Sequence, residues 1–259
     1  MYFLDDHLLG DPRFASQLFS GMRGLGRLFQ GASTVNAILK GNLIEQAAEA
    51  GLRSIFIGFE SLAADSLSFS NKSQNLGRDY AAAIQRLDSL GIKINGSFVF
   101  GLDGDTPDVF ARTVDWAVAQ GLTTATFHIA TPYPGTAYYK QMQAQGRLTT
   151  QNWDLYDTRH VVFEPRGMSR AQLKTGYDWA YEAFYSWANI AKASQNHAAF
   201  NQRLRHFAYS AGWKKAEPVW NFMIQHNLLS PMRQVLETVL DGRTPQPKLR
   251  SQHALEKVL

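Results

Sequence analysis

Glycines at 51, 91 and 121 each close a helix-patterned stretch, and each is followed within a few residues by a short apolar run. Few folds tolerate that punctuation. A helix that stops at glycine and hands over to a buried strand, three times in succession, has the rhythm of βα units. Right-handed crossovers wind such units into a parallel barrel or a doubly wound sheet. The strongest strand lies in INGSFVFGLDGDT, residues 94–106, where Phe98, Val99 and Phe100 run between glycines into Asp103 and Asp105. A run of that kind suits a strand buried on both faces. Thr106, Pro107 and Asp108 then supply an N-cap, a first-turn proline and an acid for the next helix.

The remaining chain repeats the pattern. Residues 1–4 are apolar and end in Asp5-Asp6, and Asp11-Pro12 starts a helix expected to bury Phe14, Leu18 and Met22. Residues 28–34 form a weaker strand. Asn42, with Glu45 three positions on, makes a capping-box-like start to the helix that Gly51 ends. Residues 54–59 are a strand ending in Glu60-Ser61, and the following helix carries Tyr80, Ile84 and Leu87 at helical spacing. The helix after residue 106 buries Phe110, Val114 and Ala117, and residues 124–129 give a fifth strand that leads through TPYPGT into a helix ending near Gln145.

The expectation is an α/β fold: an incomplete parallel (β/α) barrel of five βα units over residues 1–150. A helical region follows over 151–240. In it, residues 168–193 form one long helix with Leu173, Tyr177, Ala180, Phe184 and Trp187 on its core face, and a second helical segment covers 216–240. Residues 241–259, with Arg243, Lys248, Arg250 and Lys257 among prolines and glutamines, read as a flexible solvated tail rather than a nucleic-acid arm.

Composition narrows the chemistry. At 259 residues, 45% hydrophobic and 12% aromatic, the chain can bury a large core, and its net charge is only +4. It contains no cysteine, which removes disulfides and any thiolate-ligated metal or cluster within these residues. No apolar run approaches the roughly 18 residues of a membrane span, and residues 1–4 lack the preceding basic region of a signal peptide, so the expected location is the cytoplasm.

Ligands of parallel α/β folds bind at the carboxyl ends of the strands. Here those ends carry Asp5, Asp6, Ser33, Thr34, Glu60, Ser61, Asp103, Asp105, His128, Thr131 and Tyr133. Five acids at one mouth repel each other unless cations or a cationic ligand join them, and Lys72 and Arg78 are the nearest basic residues. Asp105 and Asp11 suit helix caps equally well, and His128 suits a satisfied core histidine equally well. No nucleophile elbow, lysine-bearing phosphate loop or HExxH occurs. The residues alone define a parallel α/β domain with an acidic ligand site.

A resemblance goes further. FLDDHLLGDP (3–12), GFES (58–61), NKSQN around Lys72, GSFVFGLDGDT (96–106), TPYPGT (131–136), GRLTTQNWDLYD (146–157) and HVVFEPRGMS (160–169) follow one another in an order that resembles radical S-adenosylmethionine proteins of the cobalamin-binding subfamily. The likeness covers about residues 1–190. It implies a partial barrel of six βα units, a 4Fe-4S cluster held by a CxxxCxxC loop after the first strand, and a preceding cobalamin-binding domain. On that pattern this chain starts at the second strand. Asp5 and Asp6 would hold the amino group of S-adenosylmethionine, and Glu60 and Ser61 would lie near its ribose and methionine portion. The strand with Ser97, Phe98 and Gly101, Asp103 beyond it, and the backbone at His128, Ile129 and Ala130 would flank the adenosine. Lys72 would meet the carboxylate.

The expected function is therefore that of a fragment of an enzyme that cleaves S-adenosylmethionine reductively for methylation, ring formation or a related rearrangement of a small-molecule substrate. Without cluster ligands it would be inactive alone, its partner being the missing N-terminal part. The alternatives are a non-enzymatic remnant that binds an adenosine-like ligand and a metal-dependent hydrolase using the acidic mouth.

Overall fold

The computed structural model describes residues 1–62, 78–197 and 199–225, side chains of 78, 79 and 215–225 excepted. Residues 1–212 form one compact unit and a second begins at Trp213. In chain order the elements are α1 (Pro12–Met22), β1 (Phe29–Ser33), α2 (Val35–Leu39), α3 (Leu43–Ala50), β2 (Leu52–Glu60), α4 (Arg78–Ser89), β3 (Lys93–Phe100), α5 (Val109–Ala119), β4 (Thr124–Ile129), α6 (Ala137–Ala144), a 3₁₀ turn (Trp153–Leu155), α7 (Arg170–Phe184), α8 (Trp187–Ser194) and α9 (Phe200–Gln225). The four strands pair in the order β1-β2-β3-β4, every pair parallel. This is the expected open portion of a (β/α) barrel, with a helix between successive strands. The tail at 241–259 and most of the helical segment at 216–240 lie outside the described residues.

Alternation divides each strand between two environments. Ile55, Ile57 and Phe59 of β2, Ile94, Phe98 and Phe100 of β3, and Ala125, Phe127 and Ile129 of β4 are buried against the helices. Phe59, Phe98, Phe127 and Phe100 stack in sequence at 5.5, 5.8 and 5.5 Å, and Trp116 of α5 meets Phe59 and Phe98 edge-on at 5.3 and 6.0 Å. Burying each large ring contributes about 1.5–3 kcal/mol before its packing geometry is counted. The opposite face carries Ser54, Gly58 and Glu60, then Asn95 and Ser97, then Thr126 and His128; it is the barrel interior.

Helices from the second half of the chain cover the outer edge of β4. The Tyr185 hydroxyl donates to Ala125 O (2.9 Å) and accepts from Ala125 N (3.2 Å). One turn earlier, Tyr181 does the same for Phe127 at 3.2 and 3.1 Å. Ile129 N donates to Thr158 O at 2.7 Å, and Ser210 Oγ donates to Thr123 O at 2.7 Å. An edge that would otherwise expose unpaired backbone groups is thereby satisfied.

Several local expectations need correction. Residues 1–4 do not form a full strand: Tyr2 makes a single parallel bridge to Gln30, and the chain then turns as Asp5 Oδ1 accepts from His7 N at 2.8 Å. In α1 the buried stripe is Ala15, Phe19 and Met22, whereas Phe14 is 57% exposed; an apolar residue at each of two adjacent phases made the sequence ambiguous. Asn42 makes no capping hydrogen bond, because Glu45 is drawn to Arg86 of α4 (2.7 Å) and Gln46 donates to the Asn42 side chain (2.9 Å). Helix α5 begins two residues later than Pro107 implies, with Thr106 bonded to Asp108. The single helix expected over 168–193 is two. Ser186 caps α8 through Asn189 N, and the break leaves Trp187 46% exposed, while Leu173, Tyr177, Ala180 and Phe184 are buried as expected.

Two measurements follow from this packing. A Cβ on Gly176 of α7 would come 2.1–2.4 Å from the buried Phe110 ring of α5. Gly176→Ala should therefore destabilise the fold by about 1–3 kcal/mol in denaturant melts, despite its helix propensity; an unchanged midpoint would refute that contact. Second, His197 bridges Asp88 of α4 (2.6 Å) and His206 of α9 (2.8 Å), with Lys93 nearby and Arg203 on the His197 carbonyl. Burial, reinforced by His197 and Lys93, pulls His206 down to about 3. The unfolded chain, titrating near the usual 6.5, then binds a proton that the native state refuses. Stability is complete above about pH 6.5 and falls as pH drops toward 3. Melting temperatures at roughly pH 7.5 and 5 should show this fall, and His206→Gln should flatten it; identical falls in both proteins would contradict the assignment.

Candidate functional site

The turn that deflects residues 5–10 from the sheet sets one wall of a cavity of about 1210 Å³. Asp5, Asp6, His7 and Leu9 line it from that turn, Ala32, Ser33 and Thr34 from the end of β1, Asn36 and Lys40 from α2 and its cap, Gln46 from α3, and Phe56, Gly58 and Glu60 from β2. The turn and the ends of β1 and β2 thus place Asp5, Asp6, Ser33, Thr34 and Glu60 on one cavity. Lys40 is the one lysine or arginine among the described lining residues.

Glu60 sits at φ +63° where β2 slips register against β3 between Gly58 and Glu60. A non-glycine residue in that region costs about 1–3 kcal/mol and persists where the surroundings hold it. Its carboxylate folds back over Gly58, where an added Cβ would lie 2.8 Å from Oε1. The Glu60 charge also reaches two neighbouring groups. Burial lowers the His128 imidazole below its usual value while Glu60 opposes the shift, and burial raises the Tyr80 hydroxyl with Glu60 adding to it. His128 faces the interior and its Nδ1 meets Thr158 Oγ1 at 3.1 Å. Ser97 is buried on the same interior face. So is Asn95 Oδ1, which has no hydrogen-bond partner among the described residues.

Other expected residues stand elsewhere. The Phe98 ring is fully buried in the stack on the helix side, so only its backbone is available to a ligand in the interior. Gly101, at φ +90°, packs against Leu173 and Phe163, and its N–H, with that of Leu102, donates to buried Asp105 (2.9 and 3.0 Å). Asp105 thus closes its own loop and does not cap α5. Asp103, its side chain 7% exposed, is held by Arg147 at 2.7 and 3.1 Å and by Arg166 at 3.4 Å. Ile129 N and Ala130 N are taken by Thr158 O and Phe100 O. Ser61 is buried just beyond β2. Lys72 and the Arg78 side chain lie outside the described residues. His7, Lys40 and Asn36 went unnoticed in the sequence, although His7 directly follows the acid pair.

No protein-family model matches the chain. It is 32% identical over 193 residues to bacteriochlorophyllide d C-12(1)-methyltransferase of Chlorobaculum tepidum, covering 74% of this chain and 42% of that one. It is 26% identical over 137 residues to the anaerobic magnesium-protoporphyrin IX monomethyl ester cyclase of Cereibacter sphaeroides, covering 53% and 22%. The chain spans less than half the length of these curated relatives. Among solved structures, the cobalamin-dependent S-adenosylmethionine radical enzyme OxsB, with aqua-cobalamin and S-adenosylmethionine bound, superposes with a TM-score of 0.52 at 14% identity over 93% of this chain and 42% of that one, a likeness of fold. With the ordered motifs, the open parallel barrel and these relatives in agreement, the chain belongs to the radical S-adenosylmethionine proteins of the cobalamin-binding subfamily.

Proposed function

We propose that these residues form the S-adenosylmethionine-binding and substrate-facing part of a radical methyltransferase acting on a tetrapyrrole. The observation that carries the reading is the gathering of Asp5, Asp6 and Glu60 in one large cavity. The methyltransferase and cyclase relatives support the chemistry, and their tetrapyrrole substrates support the substrate class.

The donor set fits S-adenosylmethionine. Carboxylates at 5 and 6 complement its ammonium group, and Thr34 and Asn36 line the same cavity with polar side chains able to meet its hydroxyls. Bound there, S-adenosylmethionine would supply the methyl group and the radical chemistry of the family. The residues of this chain would orient it: Asp5, whose Oδ1 is fixed by His7 N, presents a preset carboxylate, and Glu60, folded back over Gly58, lines the same cavity from β2. The 4Fe-4S cluster does not fit these residues. There is no cysteine, and among the described residues no three His, Asp or Glu side chains are placed to hold a metal ion. Thiolates for the cluster would have to come from outside these 259 residues, and turnover would require them.

Calorimetry of the purified chain with S-adenosylmethionine and with 5′-methylthioadenosine, which lacks the amino-acid portion, tests the acid pair. Binding should be weak, with S-adenosylmethionine preferred by roughly tenfold, and Asp5→Asn/Asp6→Asn should remove the preference. Equal binding of the two ligands, or an undiminished preference in the double variant, would reject the site.

A further inference from the structure

The cavity holds one imidazole that the acid pair does not explain. His7 lies on the turn after Asp6, half-buried, and its ring packs over Gly10, where an added Cβ would be 3.0 Å from Cδ2. Its Nδ1 lies 3.3 Å from Oγ of Ser33, which is 4% exposed at the end of β1. Nε2 has no hydrogen-bond partner among the described residues. When Nδ1–H donates to the serine, the lone pair is on Nε2, and the ring is oriented by its second nitrogen. Proteins present a neutral histidine to a metal in this way.

One imidazole does not make a metal site. The absence of a gathered three-residue set among the described residues means that a metal meeting His7 must bring its other ligands with it. A metallotetrapyrrole does so, since four ring nitrogens fill the plane and leave an axial position. The cavity is large, Leu9 and Phe56 give it apolar surface, and Lys40 offers a cation to a propionate on the macrocycle rim. We propose that His7 Nε2 is the axial ligand to the magnesium of a tetrapyrrole substrate, with Ser33 orienting the ring and Lys40 engaging a ring carboxylate. The proposal rests on the tetrapyrrole reading above and specifies how the macrocycle is held.

The test titrates the purified chain with magnesium-protoporphyrin IX, metal-free protoporphyrin IX and aqua-cobalamin, followed by absorption and magnetic circular dichroism. Magnesium-protoporphyrin IX should bind at least about tenfold more tightly than the metal-free ring and show axial ligation by nitrogen. His7→Gly should lose that preference and regain the axial signature on addition of imidazole, which a merely structural role would not produce. Ser33→Ala should weaken the preference without abolishing it. Far-ultraviolet circular dichroism of each variant confirms folding. Equal binding of metallated and metal-free rings, no binding of either, or a preference that survives in His7→Gly would overturn the proposal. So would His7-dependent ligation of aqua-cobalamin without binding of magnesium-protoporphyrin, which would give the imidazole to the corrin cobalt. Because the S-adenosylmethionine titration reads Asp5 and Asp6, either result can fail while the other stands.

Discussion

The row of stacked phenylalanines on the helix side of the sheet is the constraint on which the remaining structure depends. Side chains in a strand alternate with a period of two, so a one-residue slip of any strand would carry its rings into the barrel and its polar residues into the core. Phe59, Phe98 and Phe127, stacked across three neighbouring strands and closed edge-on by Trp116, make such a slip prohibitive. The opposite face is therefore fixed as well. Asn95, Ser97, Thr126 and His128 face the interior because their neighbours cannot leave the stack.

With register settled, the acids at the strand ends divide into two kinds. Asp103 and Asp105 stabilise the loop after β3, one through Arg147 and the other through backbone N–H groups. Asp5, Asp6 and Glu60 face the cavity on the side of β1 and β2. The division follows from which strand end each carboxylate leaves. Beyond β3 the arginines of residues 147 and 166 lie within reach, whereas the described cavity wall near β1 supplies only Lys40.

Much of this was legible in the sequence. Glycine punctuation located the βα units, and Gly51, Gly91 and Gly121 do adopt positive φ. The strands at 54–59, 97–101 and 124–129 were found because the aromatic and β-branched residues that make the stack also make the local signal. The failures were of two kinds. Phase was misread in α1 because Phe14 and Phe19 offer two apolar stripes and only the sheet chooses between them. Partners were misread at Glu45 and Asp105, where an arginine or a backbone amide competes with the local role that the spacing suggests. His7 carried no periodic signal; its interest comes from Ser33, twenty-six residues away.

The two sides of the sheet are finished differently. Beyond β4 the backbone of residues 123–129 is met by Ser210, Tyr185, Tyr181 and Thr158, so no further strand can dock there without displacing phenols and helices. On the β1 side, residues 1–4 meet the sheet through one parallel bridge, Tyr2 to Gln30. A strand approaching β4 would have to break four hydrogen bonds from two phenols before gaining any of its own, so the sheet is closed to strand addition on that side by where two tyrosines fall on α7.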